Sequence, residues 1–193
     1  MAVGATSELQ RDLPAHRGWD ATTVASGRVG RDSISPSRAL ERMQTFLPYA
    51  DFEASARALD DRRLGKQRVE ALQVLRGLTV PGYGWRHHPA VQMWRGHVEA
   101  LARYGLTCCD VWVGKGHADT CAATLGSDLA AAGVPAARTQ AELAEAGALP
   151  WWLGDEAFHR AHRSALVRKD PDHYRKQFPD VPDDLPYVWP AAD

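Results

Sequence analysis

No run of this 193-residue chain approaches the ~18 apolar residues that a membrane span requires. The N-terminus has no apolar stretch of the secretory kind, so no signal peptide is predicted. There are only three cysteines, two of them adjacent at 108 and 109, and an odd count with that spacing argues against a disulfide framework. A reducing cytoplasm is the expected setting. No H-E-x-x-H and no paired C-x-x-C occurs, and the nearest alternatives, His159-x-x-His162 and His117-x-x-x-Cys121, are weak metal signals. His162 sits in an apolar stripe, where a satisfied core histidine is the ordinary reading, so neither a metal nor a cofactor is predicted. Strand-forming segments are few. Net charge is also nearly lacking, at −1.

What the chain does have is an uneven distribution of that charge. Residues 57–104 carry nine Lys/Arg against four acids, and residues 105–193 carry eight against 13. A cationic segment followed by an anionic one is compatible with a basic groove. Residues 1–42 are rich in Ala, Gly, Ser, Thr and Arg without sustained periodicity, and are predicted to be disordered. Met43 opens a different segment, "MQTFLPYADF", and two readings of it stand: the biological start of the chain, or an internal residue.

From Asp51 to Leu78 the pattern is helical, in two pieces meeting near Asp60. Leu64, Ala71, Leu72, Leu75 and Leu78 recur at three- and four-residue spacing as the predicted buried stripe. "TVPGYGWRHHP" reads as a loop, with Pro89 suited to the first turn of the next helix. Val91, Trp94, Val98 and Leu101 predict one amphipathic helix running on toward Gly114, and another helix is expected over 117–131. "TQAE" at 139–142 matches a capping box. Asp155 suits the cap of a helix with Phe158, His162, Ala165 and Leu166 inward, and Pro171 opens a short helix toward Phe178. The proline-rich tail predicts an extended strap. The expectation is an all-α domain over residues 43–193.

Three constellations carry chemistry. On the helix from Asp60 to Leu78, Arg62, Lys66, Glu70 and Gln73 fall within one arc, and Gly77 on that arc allows close approach. Such cations suit backbone phosphates, and Glu70 suits general acid–base work. A solvated face with a Lys66–Glu70 pair has the same pattern. In the loop, Tyr83, Trp85, Arg86, His87 and His88 combine stacking surface with charge, which suits an unpaired base; a packed loop whose aromatics seal the core is the alternative. In "FHRAHRSALVRKDPDHY", Arg160, Arg163, Arg168 and Lys169 precede Tyr174, as a phosphate-contacting strip or as a solvated helix end.

Taken together, residues 43–49, 59–72, 79–89 and 158–174 resemble the pyrimidine-dimer DNA glycosylase family, of the phage endonuclease V type, and in particular its short actinobacterial members. The pattern Leu59-x-Asp61-x-x-Leu64 followed by Glu70 is similar to that family's catalytic helix. "GYGWRHHP" is similar to its Gly-Tyr and His-Pro, and Lys169, Pro171 and Tyr174 to its C-terminal basic-aromatic segment. The resemblance implies a compact all-α fold and a glycosylase/AP lyase acting on double-stranded DNA with a damaged base, as a monomer. It implies an amine at the start of the chain that attacks C1′, and a helix glutamate, here Glu70, that stabilises the charged sugar. Arg62 and Arg63 fall where the family has polar or basic DNA contacts. The sequence departs from the family in one respect: Gln44 follows Met43 and is too large for efficient Met removal, so the amine is that of Met43 itself, and only in a chain starting there. Lys66, one turn before Glu70, is the substitute amine. The alternatives from other classes are a non-catalytic nucleic-acid-binding module, and a small helical protein with a metal or protein partner.

Overall fold

The computed structural model describes residues 44–190. Residues 1–42, predicted to be disordered, and Met43 lie outside them. Eight helices form among the described residues: α1 Phe52–Ala58, α2 Asp61–Thr79, α3 Pro89–Gln92, α4 Val98–Gly114, α5 Cys121–Ala131, α6 Gln140–Glu145, α7 Glu156–Lys169 and α8 Pro171–Tyr174. No strand occurs among the described residues. None of these helices is long and apolar enough to cross a membrane.

Local chemistry sets the boundaries. Asp60 separates α1 from α2 as predicted, its carboxylate accepting from the Arg63 N–H at 3.0 Å as an N-cap. Thr139 and Glu142 form the predicted capping box, and Asp155 caps α7 by accepting from the Ala157 N–H. Two elements differ from expectation. The single helix predicted from Val91 onward is interrupted between α3 and α4, where Gly96 adopts φ +79°, a left-handed conformation that a helix cannot carry. The helix predicted over 117–131 begins only at Cys121.

Helix α2 packs chiefly on α4 and α5, and α1 packs on α4. The α2–α4 approach is close because Gly105 faces Ala71, where a Cβ would lie 2.9 Å from the Ala71 Cβ. Gly77 is likewise a close-approach position, but what approaches is Val91 of α3, not a ligand. The buried face of α2 is Leu64, Gln67, Glu70, Ala71, Val74, Leu75 and Gly77, so Leu72 and Leu78 are only half-buried. Two polar side chains thus occupy a face that the leucine spacing had assigned to hydrocarbon. Trp94, Trp152, Tyr104, Phe52 and Phe158 fill the middle of the core.

Residues 44–48 run through this interior without regular secondary structure and are buried throughout. Buried backbone polar groups need partners, and here side chains supply them. The Tyr104 hydroxyl donates to the Phe46 carbonyl at 2.5 Å, and the Trp94 indole N–H donates to Thr45 Oγ1 at 3.0 Å. From α7, His162 Nδ1 accepts from the Leu47 N–H at 2.9 Å, His159 Nδ1 donates to the Leu47 carbonyl at 2.8 Å, and Arg163 donates to the Pro48 carbonyl at 2.9 Å. The predicted core histidine at 162 is therefore tied through Nδ1 to a buried strap, while its Nε2 meets no hydrogen-bond partner among the described residues. The tail after Phe178 carries no helix or strand among the described residues.

Candidate active site

Arg62, Lys66 and Glu70 stand at four-residue intervals on α2 and line one wall of a cavity of about 300 Å³. Gln44 and Phe46 of the strap line it as well, with Arg63 of α2 and Lys169 at the end of α7. Four cationic side chains and one carboxylate thus meet in one concavity. Among the described residues Phe46 alone contributes an aromatic ring, and the Lys169 ammonium lies 6.0 Å from its centre.

Glu70 is 5% exposed and belongs to the cavity wall, so it is withdrawn from bulk water without being sealed in hydrocarbon. Burial pushes its carboxyl above the usual carboxylate range. Lys66, the backbone N–H of Gln44 and Lys169 pull in the opposite direction by stabilising the anion. Lys66 Nζ is 3.0 Å from Glu70 Oε1. The Gln44 N–H donates to the Glu70 carboxylate, which brings the peptide nitrogen joined to residue 43 against the acid. Met43 itself lies outside the described residues.

The remaining candidates divide between the cavity, its surroundings and the core. Arg62 is exposed at the rim. Arg63 lines the cavity, but its guanidinium is ion-paired with Asp60, lies 3.4 Å from Asp170 and sits over the Tyr174 ring at 5.2 Å. Tyr174 is a correction: it is fully buried, its hydroxyl donating to Asp60 Oδ2 at 2.6 Å, so no face of its ring is open to a strand. Arg163 is a second correction, because its guanidinium holds the Pro48 carbonyl and pairs with Glu156. Gln73 is half-buried on α2 and does not line the cavity.

The loop residues lie past the C-terminal end of α2, which runs about 14 Å beyond Glu70 at 1.5 Å per residue. Trp85, Arg86 and His87 are exposed and Tyr83 is half-buried. His88 is the third correction: it is buried between Trp85 and Trp189, and its Nδ1 caps α3 by accepting from the Ala90 N–H at 3.1 Å. Sequence reasoning missed Gln44, Phe46 and Gln67. The available signal was Gln67, a polar residue at helical spacing between Leu64 and Ala71.

Neither weak metal pair gathers ligands. His117 stacks on Trp112 with ring centres 3.8 Å apart, and Cys121 donates to the Arg68 carbonyl. Among the described residues no group of three or more His, Cys, Asp or Glu is arranged to hold a metal ion.

The geometry is a carboxylic group of raised basicity in a cationic cavity, approached by one backbone segment. That geometry coincides with a similarity to a known family. Residues 43–125 match the pyrimidine dimer DNA glycosylase family. The match begins at the residue joined to Gln44 and includes Arg62, Lys66, Gln67, Glu70 and the 80–88 loop. It bears out the resemblance at the level of the family. Lys169, Tyr174 and the rest of α7 and α8 lie beyond the matched residues. Comparison with curated proteins and with solved structures returned no match.

Proposed function

We propose that this protein excises damaged pyrimidines from double-stranded DNA, using an amine nucleophile and Glu70. The observation that carries the reading is the placement of Glu70: a partly desolvated carboxyl inside a cavity walled by Arg62, Arg63, Lys66 and Lys169, touched by the backbone N–H of Gln44.

The residues divide the work by their chemistry. Arg62 and Lys169 are charged groups at a cavity of sugar-phosphate size, and they neutralise the backbone on either side of the damaged nucleotide. A neutral amine attacks C1′; the C1′–N bond breaks, and the base leaves with the bonding electrons and takes up a proton. The nitrogen then holds a C1′ iminium after ring opening. Glu70, as the anion, lies where positive charge develops at C1′ and stabilises it. It takes the proton that the attacking nitrogen loses and, now as the acid, supplies it to the sugar oxygen during ring opening. Loss of a C2′ proton from the iminium expels the 3′ phosphate, and water releases the amine. That second stage is the AP-lyase step.

Two amines suit this role. One is the α-amine of a chain beginning at Met43, which is one residue from the Gln44 N–H that already touches Glu70. An α-amine of pKa about 8 has a useful neutral fraction at physiological pH. The other is Lys66, whose Nζ is 3.0 Å from Glu70 Oε1. The α-amine reading has the stronger support, because Lys66 Nζ is already engaged by Glu70 Oε1.

The test uses protein beginning at Met43 and the full chain, each with duplex DNA carrying a cyclobutane pyrimidine dimer, under borohydride. The expected outcome with the Met43-initiated protein is a covalent adduct, mapped by mass spectrometry to residue 43, and scission of one glycosidic bond of the dimer, whose freed pyrimidine stays tethered to its neighbour by the cyclobutane ring. Absence of both the adduct and glycosidic-bond scission would count against the reading.

A further inference from the structure

Gln67 is fully buried on α2, three residues before Glu70 and on the same helix face. Its Oε1 accepts from the Phe46 N–H at 2.8 Å, and its Nε2 donates to the Gln44 carbonyl at 2.9 Å. In an extended chain the carbonyl of one residue and the N–H of the residue two further on point to the same edge. A primary amide presents one donor and one acceptor side by side, which matches that edge. The Gln44 N–H, bound to Glu70, belongs to the same edge, and so does the Phe46 carbonyl bound by Tyr104. The Leu47 N–H and carbonyl belong to the opposite edge and are taken by His162 and His159. The strap is held on alternate edges as a strand is held in a sheet, with side chains in place of neighbouring strands. A one-residue slip would exchange the edges and move the chain by about 3.4 Å.

We propose that Gln67 is a positioning residue, whose amide fixes the register of residues 44–48 so that the peptide nitrogen of Gln44, and the residue joined to it, lie against Glu70. The catalytic meaning of this placement rests on the function proposed above; the placement itself does not. Gln67 does not line the cavity, and it acts through the strap.

The experiment compares wild type, Gln67→Met, Gln67→Glu and Leu129→Ala, the last a truncation of a buried side chain on α5 that makes none of the strap's hydrogen bonds. Carbon-13 NMR follows the Glu70 carboxyl through a pH titration, and single-turnover excision and DNA affinity are measured on the same proteins. In Gln67→Met the Glu70 carboxyl is expected to titrate at higher pH than in wild type, because it loses the Gln44 N–H. The excision rate is expected to fall by about ten-fold or more, since small misplacements of a reacting group are costly, with DNA affinity within about two-fold. Leu129→Ala is expected to lower Tm while leaving the Glu70 titration and the rate per folded molecule unchanged. In Gln67→Glu, a protonated carboxyl restores one donor and one acceptor, so its rate relative to wild type is expected to climb as pH falls. This variant carries the same comparison if Gln67→Met does not fold. An unmoved Glu70 titration in the folded Gln67 variants would overturn the proposal. Wild type that excises nothing while the titration still moves would overturn the proposed function and leave the positioning role standing.

Discussion

Lys66 Nζ lies 3.0 Å from Glu70 Oε1, yet the lysine side chain is 60% exposed and the glutamate side chain 7%. The two ends of this i,i+4 pair therefore live in different media. The lysine remains hydrated and loses little on pairing. The glutamate has lost most of its water and depends on the few groups that still face it. A change at Lys66 is thus felt mainly as a change in the proton affinity of Glu70.

Glu70→Gln is expected to reduce excision by about 10²-fold or more, in the range typical of a lost acid–base or charge-stabilising group, with DNA affinity little changed. The same variant has a stability signature. The folded-state pKa of Glu70 is raised above its ordinary value, chiefly by burial. Its contribution is therefore fully present below the ordinary carboxylate pKa and is lost as pH rises through the raised one. Gln cannot ionise, so between mildly acid and neutral pH the Tm of Glu70→Gln should fall less than that of wild type. A parallel fall in both proteins would refute this.

Lys66→Met removes the strongest stabiliser of the Glu70 anion, so the Glu70 carboxyl should take up its proton at higher pH than in wild type. The pH–rate profile of excision should shift its acid limb in the alkaline direction. The Met43-initiated variant should still form the borohydride-trapped adduct. Loss of trapping with DNA affinity retained would transfer the nucleophile's role to Lys66.

His162 is fully buried, and burial pushes its pKa down to about 3, with His159 adding to the shift. The unfolded chain takes up this proton near pH 6.5 and the folded chain does not, so stability is lost as pH falls from about 6.5 toward 3. Protonation would in addition cost the hydrogen bond that Nδ1 accepts from the Leu47 N–H. Urea unfolding at stepped pH should show this acid-side loss, of order a few kcal/mol. In His162→Asn the loss should shrink, from a neutral-pH stability lowered by about 1–3 kcal/mol for the disrupted hydrogen bond. An unchanged acid-side slope in the variant would assign the effect to other groups.

Arg62→Ala with Lys169→Ala should weaken binding to duplex DNA across sequences and reduce the salt dependence by about 0.9 in log–log slope for each phosphate no longer neutralised. Tm should be nearly unaffected by the Arg62 change, because that side chain is exposed. Tyr174→Phe makes the opposite prediction: DNA affinity unchanged, and Tm lowered by loss of the hydroxyl that donates to Asp60. Fluorescence anisotropy at several salt concentrations, with thermal melts, separates the two outcomes.

The helical class, the division at Asp60, the capping box at Thr139, the Asp155 cap and the arc joining Arg62, Lys66 and Glu70 were all legible along the chain. Each follows from interactions between residues within about four positions, which spacing records directly. The Gly96 interruption was not legible, because the apolar spacing of Val91, Trp94, Val98 and Leu101 continues across it while the backbone does not. Nor was the burial of Tyr174 and His88, since an aromatic or a histidine has the same letter whether it meets DNA or a neighbouring carboxylate. Only the tertiary structure brought Lys169 across from α7, laid residues 44–48 through the core, and set Gln67 and Glu70 against that strap. Those relationships join residues roughly 20 to 115 positions apart, where chain connectivity imposes no register and the pairing of buried backbone groups decides it.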